Sequence, residues 1–416
     1  SDDRKLDVRS YRMAYRHRGR GTVDAGCNCR RPHCTPSIPR YLKAIYRRCS
    51  VASGRIHVST NDYYLSLIRA IHLMRSLDKW RDDPGNPWTE ATQCRQQAAL
   101  FDFSFMSTVR VSGVGAQQLV NGFVSRDVSA LPENCVFYCL RLSRKGYVKS
   151  DLTVWKHAEG AYEVMSGDNG DITELMSQQG PDCSIENMSD SHSVFAIQGP
   201  ESLLRLAELC NVDHLARLDY FQFCDVDVSN LPVRMARLGY TGERGFELIA
   251  RRADAQALWC SLARVFPVAG FGALDTLRIE AGFILYCNEC PIGAAPAEMG
   301  LSQFAVQNTD RDVSSGLKLV CFTAQHNELP VLWQHPVSHP AHPTCGQIVV
   351  TSACFSPLSK TILGLGYINS QEIATAGPLV DPLGEFEQIA LCRRPLFDPS
   401  KRIARGRWSG EFRPIY

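Results

Sequence analysis

The chain of 416 residues carries 45 Lys and Arg against 43 Asp and Glu, a net charge of +2, with 44% apolar and 21% charged residues. That balance is ordinary for a globular protein and allows two to four domains, and no run of roughly 18 uninterrupted apolar residues offers a spanning helix. Seventeen cysteines, scattered and odd in number, argue against a secreted disulfide scaffold and read as mostly reduced thiols of an intracellular protein.

The charge is unevenly placed. Residues 1–60 hold twelve Arg, two Lys, four Asp and no Glu, a charge of +10, which leaves −8 for the remainder. Residues 1–85 read as a basic extension of unknown role: an arm for an anionic partner, a leader-like segment or a poorly ordered tail. Asp2, Asp3 and Asp7 and the lack of an amphipathic stripe speak against a leader. Within it, Cys27-Asn-Cys-Arg-Arg-Pro-His-Cys34 could hold zinc only if the loop closed a tetrahedron. No second ligand arm follows beyond Cys49, so these read as unligated thiols. Cys287-x-x-Cys290 is read the same way, and His335, His339 and His342 sit among prolines as an extended linker. No metal site is expected.

From Asn86 the pattern is that of a mixed chain. Leu119, Val120 and Phe123 recur at helical spacing within 117–124. Residues 135–142 and 149–156 alternate and predict two strands joined by the Ser143-Arg-Lys-Gly146 turn. Pro200 opens a helix bearing Leu203, Leu206, Ala207 and Cys210. Asp254 is placed to cap a helix with Leu258, Leu262 and Val265, and residues 272–285 predict another. After residue 316 strands outnumber helices, with turns at Asn369, Gly377 and Asp381-Pro-Leu-Gly384, which suggests a small β-barrel.

The stretch Arg237-Leu-Gly-Tyr-Thr-Gly-Glu-Arg-Gly-Phe-Glu-Leu248 carries three glycines, where the backbone turns tightly or another group approaches it. Before it, Val226, Val228, Val233 and Met235 alternate around an Asn-Leu-Pro turn. After it, period two puts Glu247 on the face of Ile249, so its carboxylate can look inward. A buried carboxylate needs a donor, either an arginine or a ligand with adjacent N–H groups, or it costs several kcal/mol. The alternative is a hairpin with Glu247 half exposed.

This hairpin resembles the signature of the glycine cleavage T-protein (aminomethyltransferase) family, which binds tetrahydrofolate. Further matches follow in family order: Ala99-Leu-Phe-Asp-Phe-Ser-Phe-Met106, Gly146-Tyr-Val-Lys-Ser-Asp-Leu-Thr-Val154, Ala196-Ile-Gln-Gly-Pro200, Gly272-Ala-Leu-Asp-Thr-Leu-Arg-Ile-Glu-Ala281 and Thr351-Ser-Ala-Cys-Phe-Ser-Pro357. The resemblance implies an α+β fold: a two-subdomain folate-binding portion over 86–312, then a C-terminal β-barrel over 313–416. It implies a cytoplasmic protein, or one of the mitochondrial matrix in a eukaryote, that moves an aminomethyl or methyl group from a small donor to tetrahydrofolate. A flavoprotein or carrier protein is an implied partner, with neither nucleic acid nor membrane.

Carried over residue by residue, Glu247 matches the carboxylate that accepts from the pterin's donors, since ionised carboxyls only accept. Tyr138, Tyr240 and Met106 match positions that pack against the cofactor. Asp151 matches the catalytic aspartate, a fixed charge beside the reacting nitrogens. Core packing is the plainer reading of each tyrosine, and a strand-edge position that of Asp151. Three departures stand out: Ser150 replaces the first Asp of an Asp-Asp pair, Phe105 replaces a His, and Leu274 replaces an Arg associated with the anionic folate end. Arg278, one helical turn on, cannot be assumed to substitute. These departures point toward folate-dependent demethylases and sarcosine- or dimethylglycine-oxidising enzymes. A folate-binding module without catalysis and a partner subunit of such an oxidase are the competing readings. No GxxxxGK[ST], HExxH or GxSxG motif supports nucleotide or hydrolase chemistry.

Overall fold

The computed structural model describes residues 86–305, 313–325, 342–371 and 378–408, all within one compact unit, Thr60–Tyr416. The basic extension, its Cys27–Cys34 cluster, His335, His339 and the Gly377 turn lie outside the described residues.

Asn86 caps the first helix, α1 (Pro87–Gln96), by accepting from the Trp88 and Thr89 amides, and Pro87 sits in the first turn where its missing N–H is harmless. There follow β1 (Ala99–Asp102), β2 (Ser107–Ser112), α2 (Ala116–Phe123), β3 (Cys135–Leu142), β4 (Val148–Lys156), β5 (Tyr162–Ser166), α3 (Asn169–Met176), β6 (Ser184–Asn187) and β7 (His192–Gln198). A short α4 (Ser202–Leu206) precedes β8 (Phe223–Val228), β9 (Leu231–Ala236), β10 (Gly245–Arg251), α5 (Arg252–Leu262), α6 (Phe271–Glu280) and α7 (Tyr286–Glu289). The C-terminal part adds β11 (Leu317–Gln325), β12 (Val349–Ser356), β13 (Thr361–Asn369) and β14 (Glu387–Cys392).

These strands make three antiparallel sheets, in the orders β1-β7-β10-β9-β8, β3-β4-β5-β2-β6 and β12-β13-β11-β14. Helices lie alongside antiparallel sheets, so the class is α+β as expected. The expected closed barrel is not found: among the described residues the C-terminal strands form a four-stranded sheet, with isolated bridges from Leu379 to Ile389 of β14 and from Val380 to Gln347 ahead of β12.

The first two sheets share one core. Phe101, Val194, Ala196, Phe223, Ala236 and Ile249 from the first meet Val136, Trp155 and Met165 from the second. The outer face of the first sheet is covered by α5 through Leu258 and Leu262, and that of the second by α2 and α3 through Val120, Phe123, Ile172 and Leu175. Each such side chain contributes about 1.5–3 kcal/mol by leaving water. Glu163, buried on β5, accepts from Arg234 of β9 at 2.8 and 2.7 Å and from Arg110 of β2 at 3.3 Å, an ionic clasp between the two sheets. Burial alone would raise its pKa, but the His157 ring nitrogen 3.2 Å away and Arg234 hold it at about 2.

The third sheet is fastened to α6 and α7 by polar contacts. Arg278 donates to Asp275 (2.8 Å), Glu289 (3.0 Å) and Ser352 Oγ (2.7 Å), and Glu289 in turn accepts from Thr351 (2.7 Å) and Ser352 (2.5 Å). Glu280 accepts from Arg95 of α1 at 3.1 and 3.0 Å and from Ser356 of β12 at 2.6 Å. The Thr351–Pro357 and Gly272–Ala281 motifs are thus two halves of one buried junction.

Several local expectations needed adjustment. The turn before β9 is Ser229-Asn230, both at positive φ (52° and 64°), so Val228 faces Leu231 and Pro232 lies inside the strand. Asp254 does not cap α5; it sits in the first turn and pairs with Arg251. The helix after Pro200 is only five residues long.

Candidate active site

Glu247 occupies the central strand of the first sheet, where its cross-strand partners are Ala196 on β7 and Ala236 on β9. Two methyl groups flank the carboxylate and offer it no side-chain donor. Glu247 is 7% exposed and faces the shared core alongside Ile249. Among the described residues no hydrogen bond or ion pair reaches its carboxylate, and burial pushes its pKa up to about 8.

Around that core-facing side lie half-buried apolar groups: Phe105, Met106, Tyr220, Phe221, Tyr240 and Leu285. Met106 is held by its amide to the Phe103 carbonyl (2.9 Å), and its sulfur lies beside Gly167, 3.8 Å from where a Cβ would stand. Tyr240 donates its hydroxyl to the Ile284 carbonyl and stacks on Phe283 with ring centroids 5.9 Å apart.

On the second sheet, Asp151 shares the core-facing side of β4 with Thr153 and Trp155. Tyr138 is paired with Thr153, one diagonal step away. From there its hydroxyl donates to Asp151 Oδ2 at 3.0 Å. Asp151 is half-buried. Burial raises its carboxyl to about 6, the Tyr138 hydroxyl pulls it back, and Asp171 and Glu289 add repulsion. Burial, followed by the Asp151 charge, raises Tyr138 well above the usual tyrosine range; Tyr240 also feels Asp151.

The structure therefore brings Tyr138 and Asp151 into contact and sets Tyr240 within their electrostatic reach; Met106 and Tyr240 pack against the core that Glu247 faces, whereas Tyr138 packs against the core shared with the C-terminal sheet. No hydrogen bond joins Glu247 to Asp151.

The glycines of the hairpin have separate physical reasons. Gly242 turns with φ +79°. At Gly239 and Gly245 a Cβ would fall 1.9 and 2.6 Å from the amide of Gln198. Gln198 is buried beneath the hairpin, donating to the Leu238 (3.2 Å) and Phe246 (3.4 Å) carbonyls and accepting from Thr241 (3.0 Å).

The departures also find places. Ser150 points away from Asp151, fully buried, and donates to Asp171 at 2.5 Å; an aspartate there would meet a second carboxylate. Leu274 is a core residue, 1% exposed. Arg278 is fully engaged by Asp275 and Glu289, so it offers no free cation in place of an arginine at 274.

Two features escape sequence reading. Tyr220 feels both the Glu247 charge and the Arg405 cation, and burial pushes it up to about 12. Its neighbour Phe221 has φ 72°, rare for a bulky residue, and is pinned by bonds with Arg237 and Val136. Second, the segment after Phe397 folds onto the hairpin. Arg244 donates to the Ile403 carbonyl (3.1 Å), Arg237 to those of Ala404 (3.4 Å) and Gly406, and Trp408 stacks on Phe246 at 5.5 Å. Neither position carries a local sequence signal, because both depend on contacts far along the chain. Among the described residues no group of three or more His, Cys, Asp or Glu is arranged to hold a metal ion, and no helix is long and apolar enough to cross a membrane.

Residues 85–309 match the family model described as the GCVT N-terminal domain. An aminomethyltransferase of Synechococcus sp. (strain RCC307) is 30% identical over 325 residues, 73% of this chain and 88% of its own length. One of Alkaliphilus oremlandii (strain OhILAs) is 32% identical over 306 residues, 68% of this chain and 82% of its own. In fold, the glycine cleavage system aminomethyltransferase T from Bartonella henselae is similar with a TM-score of 0.61 at 22% identity, covering 74% of this chain and 89% of that one.

Proposed function

Because the chain belongs to the GCVT family, we propose that it transfers a one-carbon unit from a small amine or methylated donor to tetrahydrofolate. The observation that supports this reading most is Glu247, a buried carboxylate between two alanines with no hydrogen bond or ion pair among the described residues. Such a group is costly unless a donor meets it, and paired ring N–H and amino donors of a pterin are of the right kind. Tetrahydrofolate supplies the nitrogens that accept the one-carbon unit.

In this reading Glu247 fixes the orientation of the ring, while Met106 and Tyr240 give it flat apolar surface and exclude water. Asp151 provides a preorganised negative charge for an amine developing cationic character, and with a pKa of about 6 it is largely ionised at neutral pH. Tyr138 holds that carboxylate in place. Residues 86–312 would form the folate-binding part, and a flavoprotein or carrier protein would deliver the donor.

Leu274 favours a second reading, a folate-binding partner subunit of a sarcosine- or dimethylglycine-type oxidase, since a buried leucine supplies no cation for the anionic end of the ligand. Thermal denaturation with and without tetrahydrofolate tests both readings: a specific ligand at 100 times its dissociation constant adds about 2.7 kcal/mol. No stabilisation would reject folate binding. Stabilisation without single-turnover transfer from any small amine would favour the partner subunit.

A further inference from the structure

Cys321 on β11 and Cys392 on β14 are register partners in adjacent antiparallel strands. Directly opposed residues in such a pair have Cα atoms about 4.5 or 5.5 Å apart. Both separations lie inside the range of about 4.4–6.8 Å that a disulfide spans, so a bond between them requires no backbone rearrangement. Both thiols are free. Cys321 is sealed in the core of the C-terminal sheet, whereas Cys392 is half-buried on its edge strand.

We propose that Cys321 and Cys392 are a site of reversible oxidation, closing a cross-strand disulfide that ties β14 to β11 when a peroxide is present. The two sulfurs have different roles. The adjacent Cys321 thiol draws the Cys392 thiol below its ordinary range and is itself pushed up, while burial pushes Cys94, Cys139, Cys290 and Cys354 up. Cys392, half-buried on β14 while Cys321 is sealed in the core, is the sulfur a peroxide reaches and therefore the attacking one. Its thiolate attacks one oxygen of hydrogen peroxide, the O–O bond breaks, and hydroxide leaves a sulfenic acid. The Cys321 sulfur then attacks that sulfur, the S–O bond breaks, and the departing hydroxide takes the Cys321 proton as water. Two thiols and one peroxide give one disulfide and two waters.

The position gives the bond a consequence. β14 pairs along its length with β11, with a register shift between Thr323 and Gln325, and on its other side Ile389 makes an isolated bridge to Leu379. Two residues beyond Cys392, Arg394 grips the Gly282 and Met299 carbonyls, and the chain continues to the segment lying on the hairpin. Oxidation would fix the root of that segment.

The test is to treat the full reduced chain with equimolar hydrogen peroxide and map unreduced peptides by mass spectrometry. The expected result is a Cys321–Cys392 linked pair lacking two hydrogens, reversed by dithiothreitol, with Tm raised on the order of several degrees. Cys392→Ser should abolish the link and the Tm shift. Cys321→Ser, which keeps a hydroxyl donor beside Cys392 but cannot bridge, should leave Cys392 as a sulfenic acid trapped by dimedone. An unoxidised Cys392, a link from Cys392 to another cysteine, or oxidation of Cys392 without bridging in the parent chain would overturn the proposal.

Discussion

The Tyr138 hydroxyl donates to Asp151 across 3.0 Å, reaching diagonally from β3 to β4. A donor to the ionised form lowers a carboxyl's pKa, and here it opposes the burial that brings Asp151 to about 6. Tyr138→Phe therefore moves the Asp151 titration upward and leaves less carboxylate at pH 7. Transfer at pH 7 should fall roughly two- to tenfold, as expected for losing one hydrogen bond to a charged group, and recover toward pH 9. A pH–rate profile whose acid limb stays in place would reject this coupling.

Asp151 and Glu247 should fail differently when altered. Glu247→Gln sets an amide donor against a ligand donor, so tetrahydrofolate affinity drops by roughly five- to a hundredfold, equivalent to about 1–3 kcal/mol. Asp151→Asn keeps the shape and removes the charge. Binding should change little while single-turnover transfer falls by about two orders of magnitude or more. A large affinity loss from Asp151→Asn alone would mean that the two roles are exchanged.

Glu247 should also govern how stability depends on pH without ligand. Its carboxyl is raised from 4.5 to about 8 by burial, so the folded chain keeps a proton that the unfolded chain releases over that interval. The stability from the neutral carboxyl is fully present below about 4.5 and is lost as pH rises through about 8. Asp151 (about 6) and Glu243 (about 7) act with the same sign. Glu247→Gln cannot ionise, so its Tm should exceed that of the parent most at pH 8 and least near pH 5. A Tm difference constant from pH 5 to 8 would argue against a buried, titrating carboxyl.

Arg278→Met tests the junction with the C-terminal sheet. It strands the Asp275 and Glu289 carboxylates in the interior, and breaking such a buried pair costs about 3–5 kcal/mol. At about 2–4 °C per kcal/mol for a domain of this size, calorimetry should record a Tm lower by roughly 6–20 °C. A shift near zero would show that water relieves the stranded charges.

For residues 1–85 the expectation rests on composition: +10 of charge within residues 1–60 and little periodicity. A chain starting at Pro87 should keep a single cooperative melt and unchanged folate affinity. Loss of the cooperative transition would mean that the extension contributes to the core.

Local pattern carried much of this architecture. Alternation located Cys135–Leu142 to the residue and put Glu247 on the face of Ile249, because period two is a property of the strand itself. The Ser229-Asn230 turn was misplaced because Pro232 is a strong turn signal, whereas the left-handed conformations fall on the two residues before Leu231. The partners of Arg278, Gln198 and Phe221 were not legible. Ser352 lies 74 positions from Arg278, and Phe246 lies 48 from Gln198. Such pairings are decided by tertiary packing, and no local periodicity encodes them. Likewise, the two alanines beside Glu247 come from β7 and β9, and only register shows that they flank one carboxylate.

Gln198 bears on how this site could be moved into another protein. Its amide fills the space that side chains at positions 239 and 245 would need, and it bonds to carbonyls on both sides of the turn. Grafting the glycine-rich loop alone would transplant an empty arch, with two carbonyls and a hydroxyl left without their partner. The smallest portable unit is therefore β7 with its glutamine, the whole of the hairpin and β10. A designer who alters any one of the three has to redesign the other two.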